Sequence, residues 1–116
     1  MKATLVLVGI VLFNLLTVEA NDRLNLRVSP RVSYAPADLF IFVSMEPSSK
    51  DRLLRVTALS DDFFRSSEKQ LDGEDSAHVT VFNFRQLPSG TYDIEADLVG
   101  PDGRATEVAR CDVTVL

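Results

Sequence analysis

The chain has 116 residues, which is enough for one domain but not for two. Its 17 acidic and 12 basic side chains give a formal charge of −5, and this balance argues against the basic face that nucleic-acid binding requires. The one cysteine excludes an internal disulfide, and the one histidine excludes a zinc site built on several histidines. A hydrophobic content of 46% with 25% charged residues is typical of a folded domain.

The first twenty residues have the pattern of a secretory signal peptide. Lys2 precedes an apolar run over 3–18. Val18 and Ala20 are small enough to occupy positions −3 and −1 before a signal-peptidase cleavage point. We therefore expect a signal-peptide helix over 1–20, cleavage after Ala20, and a secreted or periplasmic bacterial protein. The alternative is an uncleaved membrane anchor, but the run is shorter than the ~20 apolar residues that span a bilayer.

The remaining residues, 21–116, are predicted to form one all-β domain. Apolar residues recur at every second position, which is the period of a strand with one buried face. No stretch keeps the 3.6-residue period of a helix. The predicted strands, in chain order, are 24–28, 39–45, 53–59, 66–71, 79–84, 92–98 and 111–115. Seven short strands separated by turn residues favour an antiparallel β-sandwich.

One of these strands and one turn between strands allow more specific predictions. The dense run over 39–45 predicts a central strand that is buried on much of both faces. The segment Gly100-Pro101-Asp102-Gly103 has the residues of a tight turn, and it predicts a hairpin between the last two strands.

The segment from Leu87 to Leu98 predicts a sharp turn that leads into a strand. Pro88 fixes φ, Gly90 permits a sharp turn, and the ring of Tyr92 is expected to be buried with one partner for its hydroxyl. This segment resembles the entry into the penultimate strand of immunoglobulin-like and fibronectin type III-like domains, and the layout of 22–116 is similar to such modules in uncharacterised secreted bacterial proteins. The resemblance implies a tyrosine corner at Pro88, Gly90 and Tyr92, in which the hydroxyl bonds to nearby backbone. The absence of tryptophan and of a cysteine pair separates the chain from antibody-type domains.

The sequence contains no recognisable catalytic set. Cys111 lies within an alternating strand, where cysteine is usually a small buried hydrophobe, and nothing in the pattern brings His78 to it. Nucleophile elbows and phosphate-binding glycine loops are missing. We therefore expect no enzyme activity, no cofactor and no metal centre.

Acidic residues form the densest polar clusters. Asp61-Asp62 and the turn 72–75 are interpreted as solvated loops, with a calcium site as the alternative. Asp93, Glu95 and Asp97 share one predicted strand face, and arginines across the sheet are expected to offset their repulsion. This face is a candidate contact for a basic partner.

Phe63 and Phe64 are the one aromatic pair with polar residues on both sides. Neighbours on a strand point to opposite faces, so one ring could lie in the core and the other outside, where it could contact a partner. The alternative, which the sequence favours, is that both rings pack under the loop. The strands 24–28 and 109–116 are further candidates to accept a strand from another chain.

Together these features predict a non-enzymatic exported domain that acts in protein–protein interaction or structural support at the cell envelope. The expected partner is another envelope or secreted protein, with no nucleic acid and no membrane contact after signal cleavage, and the oligomeric state stays open. The alternative is a carbohydrate-binding or calcium-dependent binding module.

Overall fold

The computed structural model describes residues 23–116. The predicted signal peptide over 1–20 lies outside these described residues. Within them there are eight strands and one 3-10 turn, and their bounds follow in chain order. They are β1 (Leu24–Ser29), β2 (Val32–Ser33), β3 (Ala37–Met45), β4 (Leu53–Leu59), β5 (Phe64–Gln70), the 3-10 turn (Gly73–Asp75), β6 (Val79–Leu87), β7 (Gly90–Val99) and β8 (Ala105–Val115).

The strands form two sheets. One has the order β1-β3-β6, and the other has the order β2-β8-β7-β4-β5. Every pairing is antiparallel except that of the two-residue β2, which runs parallel to the end of β8. The expectation of an all-β, two-sheet architecture is confirmed at this level.

The core lies between the two sheets and is built from their alternating inward residues. On β7, Tyr92, Ile94, Ala96 and Leu98 are buried while the residues between them face outward. Such alternation is what a strand with one packed face requires, because successive side chains point to opposite sides of the sheet. The pattern of β7 therefore predicted both the strand and its buried face.

The expectation for the strand over 39–45 is wrong in one respect. Leu39, Ile41 and Val43 are fully buried, but Phe40 is 45% exposed and Phe42 is only partly covered. β3 is the middle strand of a sheet that packs against the other sheet on one side only. Its dense apolar composition therefore marks a second face that no described element covers.

The hairpin between the last two strands is confirmed. Gly103 donates its amide to the carbonyl of Gly100 at 3.0 Å, and Gly100 donates to the carbonyl of Arg104 at 3.0 Å. Gly103 has a φ of 81°, a conformation that glycine adopts without steric cost. The turn sets the register along ten pairs of residues between β7 and β8.

Among residues 23–116 there is no helix that is long and apolar enough to cross a membrane.

Candidate functional site

The outer face of the five-stranded sheet carries the predicted acidic residues. Asp93, Glu95 and Asp97 all point outward from β7, and the neighbouring strands place arginines beside them. Arg110 of β8 donates from Nε to Glu95 Oε1 at 2.9 Å, and Arg55 of β4 lies opposite Asp97 in the register. The repulsion along β7 is thus offset by cross-strand arginines, as expected.

Glu95 and Asp97 act as one titrating pair. Burial, and then the hydrogen bond to Glu95, raise the pKa of Asp97 to about 6. The same hydrogen bond lowers the pKa of Glu95 below its ordinary value. Asp97 Oδ1 is buried and accepts no hydrogen bond from the described residues. The arrangement fits a protonated Asp97 that donates to an ionised Glu95.

This pair predicts a pH dependence of stability. Because the folded pKa of Asp97, about 6, exceeds its ordinary value of 3.8, the folded chain binds more protons between these values. The contribution of Asp97 to stability is therefore full below 3.8 and is lost as pH rises through about 6. Asp97→Asn should flatten this loss, as measured by thermal unfolding between about pH 3.5 and pH 7. An identical pH profile for the two proteins would exclude the shared proton.

The two phenylalanines lie in different environments, so the expectation that both pack under the loop is wrong. Phe63 packs against the core and meets the ring of Tyr92 edge-on, with 6.1 Å between ring centroids and 80° between ring planes. Phe64 is 62% exposed on the outer face of the five-stranded sheet, in a row with Leu59 and Asp93. The structure thus places Phe64 on the face of the three carboxylates and removes Phe63 from it.

The tyrosine corner forms with the expected geometry. The hydroxyl of Tyr92 donates to the carbonyl of Pro88 at 2.6 Å, and its ring is fully buried. Burial raises the pKa of the Tyr92 phenol. Gly90 begins β7 with a φ of 156°, and a Cβ there would lie 3.4 Å from the Cβ of Ser60. These residues anchor the entry into β7 and hold the five-stranded sheet in register.

The reactive side chains considered in the sequence lie apart. Cys111 is partly exposed in a depression that it shares with Arg31 and Arg110, whereas His78 lines a separate depression beside Glu46. Among the described residues, no group of three or more histidine, cysteine, aspartate or glutamate side chains could hold a metal ion.

The outer face of the three-stranded sheet was missed in the sequence. Its centre consists of Phe40, Phe42, Val79 and Val81, which we call the apolar face. Val79 and Val81 are 54% and 52% exposed, and the guanidinium of Arg27 lies over the Phe42 ring at 4.4 Å from its centroid. Contiguous exposed apolar side chains of this kind often mark interaction sites.

β6, which borders the apolar face, is an edge strand. It pairs with β3 on one side and with no strand on the other within residues 23–116. Its segment 79–84 reads Val-Thr-Val-Phe-Asn-Phe, without charge, proline or glycine. Edge strands are usually protected by charges, and β5 follows that rule with Arg65, Glu68 and Lys69. The edge of β6 over 79–84 carries no such protection.

No protein-family model matches the chain, and no curated protein is significantly similar to it in sequence. Among solved structures, a superoxide reductase (neelaredoxin) from Ignicoccus hospitalis matches at 13% identity and a TM-score of 0.58, covering 81% of this chain and 80% of that one. A variant of the same reductase matches at a TM-score of 0.59 over 87% and 86% of the two chains. A family 76 glycoside hydrolase from a bovine Bacteroides thetaiotaomicron strain matches at 14% identity and a TM-score of 0.57, over 82% of this chain and 21% of that one. At these identities the likeness shows the fold alone.

These similarities correct the functional prediction. The expectation of a non-enzymatic domain is wrong, because the solved chains of this fold and size include superoxide reductases, which are enzymes. The error was to infer the absence of enzyme activity from a small β-sandwich in which no catalytic motif is recognised. Function resides in sites placed on a fold, so the fold gives no such exclusion. The non-enzymatic role in protein–protein interaction or structural support at the cell envelope rested on that step and is withdrawn with it, as is the alternative of a carbohydrate-binding or calcium-dependent module.

Proposed function

We propose that the chain binds an extended polypeptide segment, which adds as a new strand to the free edge of β6. The observation that carries this proposal is the uncharged, unprotected edge over 79–84. An edge strand presents a row of backbone amides and carbonyls without partners, and a guest strand can satisfy them. This binding edge is compatible with an enzyme on the same fold.

The neighbourhood of β6 favours a guest at this edge over the edges of β1, β5 and β8. β1 is six residues long and carries Arg27, and β5 carries three charged side chains. The outer edge of β8 pairs with β2 at Thr114 and Val115, and the strand carries Glu107, Arg110 and Asp112. At the far end of β6, the guanidinium of Arg65 donates to the carbonyl of Arg85 and so occupies one acceptor there. The open part of the edge is therefore 79–84, next to the exposed rings and valines of the apolar face.

The test is selection of peptides from a random displayed library on the purified chain. Val81→Lys places a charge on the exposed side of β6 without entering the core, and it should weaken the selected peptides at least about tenfold. The control is Ser66→Lys, which adds the same charge at the exposed side of β5 and should leave binding unchanged. Thermal unfolding of both variants verifies that they fold.

N-methylation of the selected peptides adds a test of backbone pairing. Only every second amide of an added strand faces β6, so methyl groups at one set of alternate positions should abolish binding, and at the other set they should not. Equal binding to both lysine variants, equal tolerance at every position, or a failure to select any peptide would refute strand addition at β6.

We further propose that the chain is exported and belongs to the immunoglobulin-like or fibronectin type III-like branch of β-sandwiches. The pattern over 1–20 supports export, and the hydrogen bond from Tyr92 to Pro88 supports the branch. The guest would then come from a secreted or envelope protein. N-terminal sequencing of the protein from its host should give a chain that starts at Asn21, and an intact Met1 would refute cleavage.

A further inference from the structure

The charges around β6 differ from those of the chain as a whole. The chain carries a formal charge of −5, and the outer face of the five-stranded sheet displays Asp93, Glu95 and Asp97. By contrast, β6 contains no acidic residue, and its one charged side chain is Arg85. Arg27 lies in the same cross-strand row as Phe42 and Val81. The face that borders the free edge is therefore apolar and carries two arginines, Arg27 and Arg85, with Asp38 as the one acidic residue of its three strands.

These two arginines are not neutralised within the described part of the chain. The arginines that form ion pairs are Arg23, Arg55 and Arg110. Neither Arg27 nor Arg85 pairs with a carboxylate of residues 23–116. The nearby Asp38 accepts the backbone amide of Gln86 at 2.9 Å, so it stabilises the strand end and leaves the Arg85 guanidinium free.

A buried hydroxyl on β6 is a second, independent observation. Thr80 is only 8% exposed, and its Oγ1 has no hydrogen-bond partner among the described residues. A buried polar atom without a partner is rare in folded proteins. Thr80 points to the core side of β6, opposite to Val79 and Val81, so a partner for its hydroxyl would be an inward-facing polar side chain of an added strand.

From these observations we propose that the guest is an extended segment that combines apolar side chains with a carboxylate. This inference rests on the proposed strand addition. Val79, Val81, Asn83 and Arg85 point to the same side of the sheet. Apolar guest residues opposite Val79 and Val81 would extend the apolar face. An aspartate or glutamate four residues beyond the nearer of them would lie just past the open part of the edge, 79–84, across from the side chain of Arg85.

The experiment uses three synthetic nonamers of alternating valine and threonine. They differ only at the residue opposite Arg85, which is glutamate, glutamine or lysine. The glutamate peptide should bind the chain about two- to fivefold more tightly than the glutamine peptide, and the lysine peptide should bind more weakly, because an exposed ion pair contributes modestly. The preference should shrink as salt is added.

Charge reversal provides the matched variants. Arg85→Glu should invert the order so that the lysine peptide binds best. Arg104→Glu makes the same change in the exposed β7–β8 turn and should leave the order unchanged. If the three peptides bind the chain with equal affinity and none of them binds Val81→Lys, the preference for a carboxylate is refuted and strand addition at β6 stands. No binding by any peptide would overturn both proposals.

Discussion

Tyr92→Ala is expected to lower the free energy of unfolding by about 3–5 kcal/mol, the usual cost of deleting a buried aromatic side chain. The ring is fully buried in the core between the sheets, and it meets Phe63 edge-on. The truncation removes the apolar burial, the contact between the two rings and the hydroxyl in one step. Denaturant unfolding followed by circular dichroism measures the change.

Tyr92→Phe separates the hydroxyl from the ring. It keeps the packing and removes only the bond to the Pro88 carbonyl at 2.6 Å, so it should cost about 1–2 kcal/mol. Losses of equal size in the two variants would mean that the ring contributes nothing. A loss within error for Tyr92→Phe would mean that the corner does not stabilise the fold.

Arg23→Ala should destabilise the chain by about 2 kcal/mol, a larger effect than a surface ion pair would give. Its partner Asp51 is 2% exposed, and Asp51 Oδ2 accepts one bond from Arg23 and one from the amide of Ser48, both at 2.8 Å. Removing Arg23 leaves a buried carboxylate with a single remaining donor. We place the cost below the usual range for buried pairs because Arg23 itself is partly exposed to solvent.

The matched control is Arg55→Ala. Arg55 and Glu68 also lie 2.8 Å apart, but both side chains are well exposed, so the loss should stay below about 1 kcal/mol. Both variants remove one arginine from one ion pair, but the carboxylate left behind is buried only in the case of Arg23. Arg23→Ala also removes two hydrogen bonds to the Glu46 carbonyl, and Arg55→Ala also removes the arginine opposite Asp97. Equal losses in denaturant unfolding would contradict the assignment of Asp51 as a buried anchor between the loop after β3 and the start of β1.

The elements that depend on local pattern could be predicted from the sequence. The alternation over 92–98 gave β7 and its buried face, and the residue types in 100–103 gave the last hairpin. The corner at Pro88, Gly90 and Tyr92 was implied by the resemblance to immunoglobulin-like domains, and its hydrogen bond from Tyr92 to Pro88 is present. The two-residue period allowed an opposite placement of Phe63 and Phe64, but it did not exclude that both pack under the loop.

Features that depend on strand order could not be predicted in this way. Alternation does not show which strand lies at an edge, so the sequence offered the strands 24–28 and 109–116 as candidates and β6 went unnoticed. β1 is an edge strand, and β2 pairs with β8 only at Thr114 and Val115. The dense composition of β3 suggested burial on both faces, whereas its second face is open. Asp51 reads as an ordinary loop residue, and only the fold shows that it is buried beside Arg23.

The proposed binding edge explains the exposure of apolar side chains that the two sheets leave uncovered. A guest on β6 would widen the three-stranded sheet to four strands and would cover the side of the apolar face next to Val79 and Val81. The acidic network on the opposite sheet, with its arginine partners, stays outside this contact. The proposed binding edge and the acidic outer face thus belong to different sheets of the sandwich.

Amide hydrogen exchange of the chain, with and without a selected peptide, tests strand addition most directly. We predict slower exchange on peptide addition at alternate amides within 79–84, because only the amides that face away from β3 gain a partner. The amides of β5, the charged edge, should exchange at unchanged rates. Protection at β5 or β1 with no change in β6 would contradict the account.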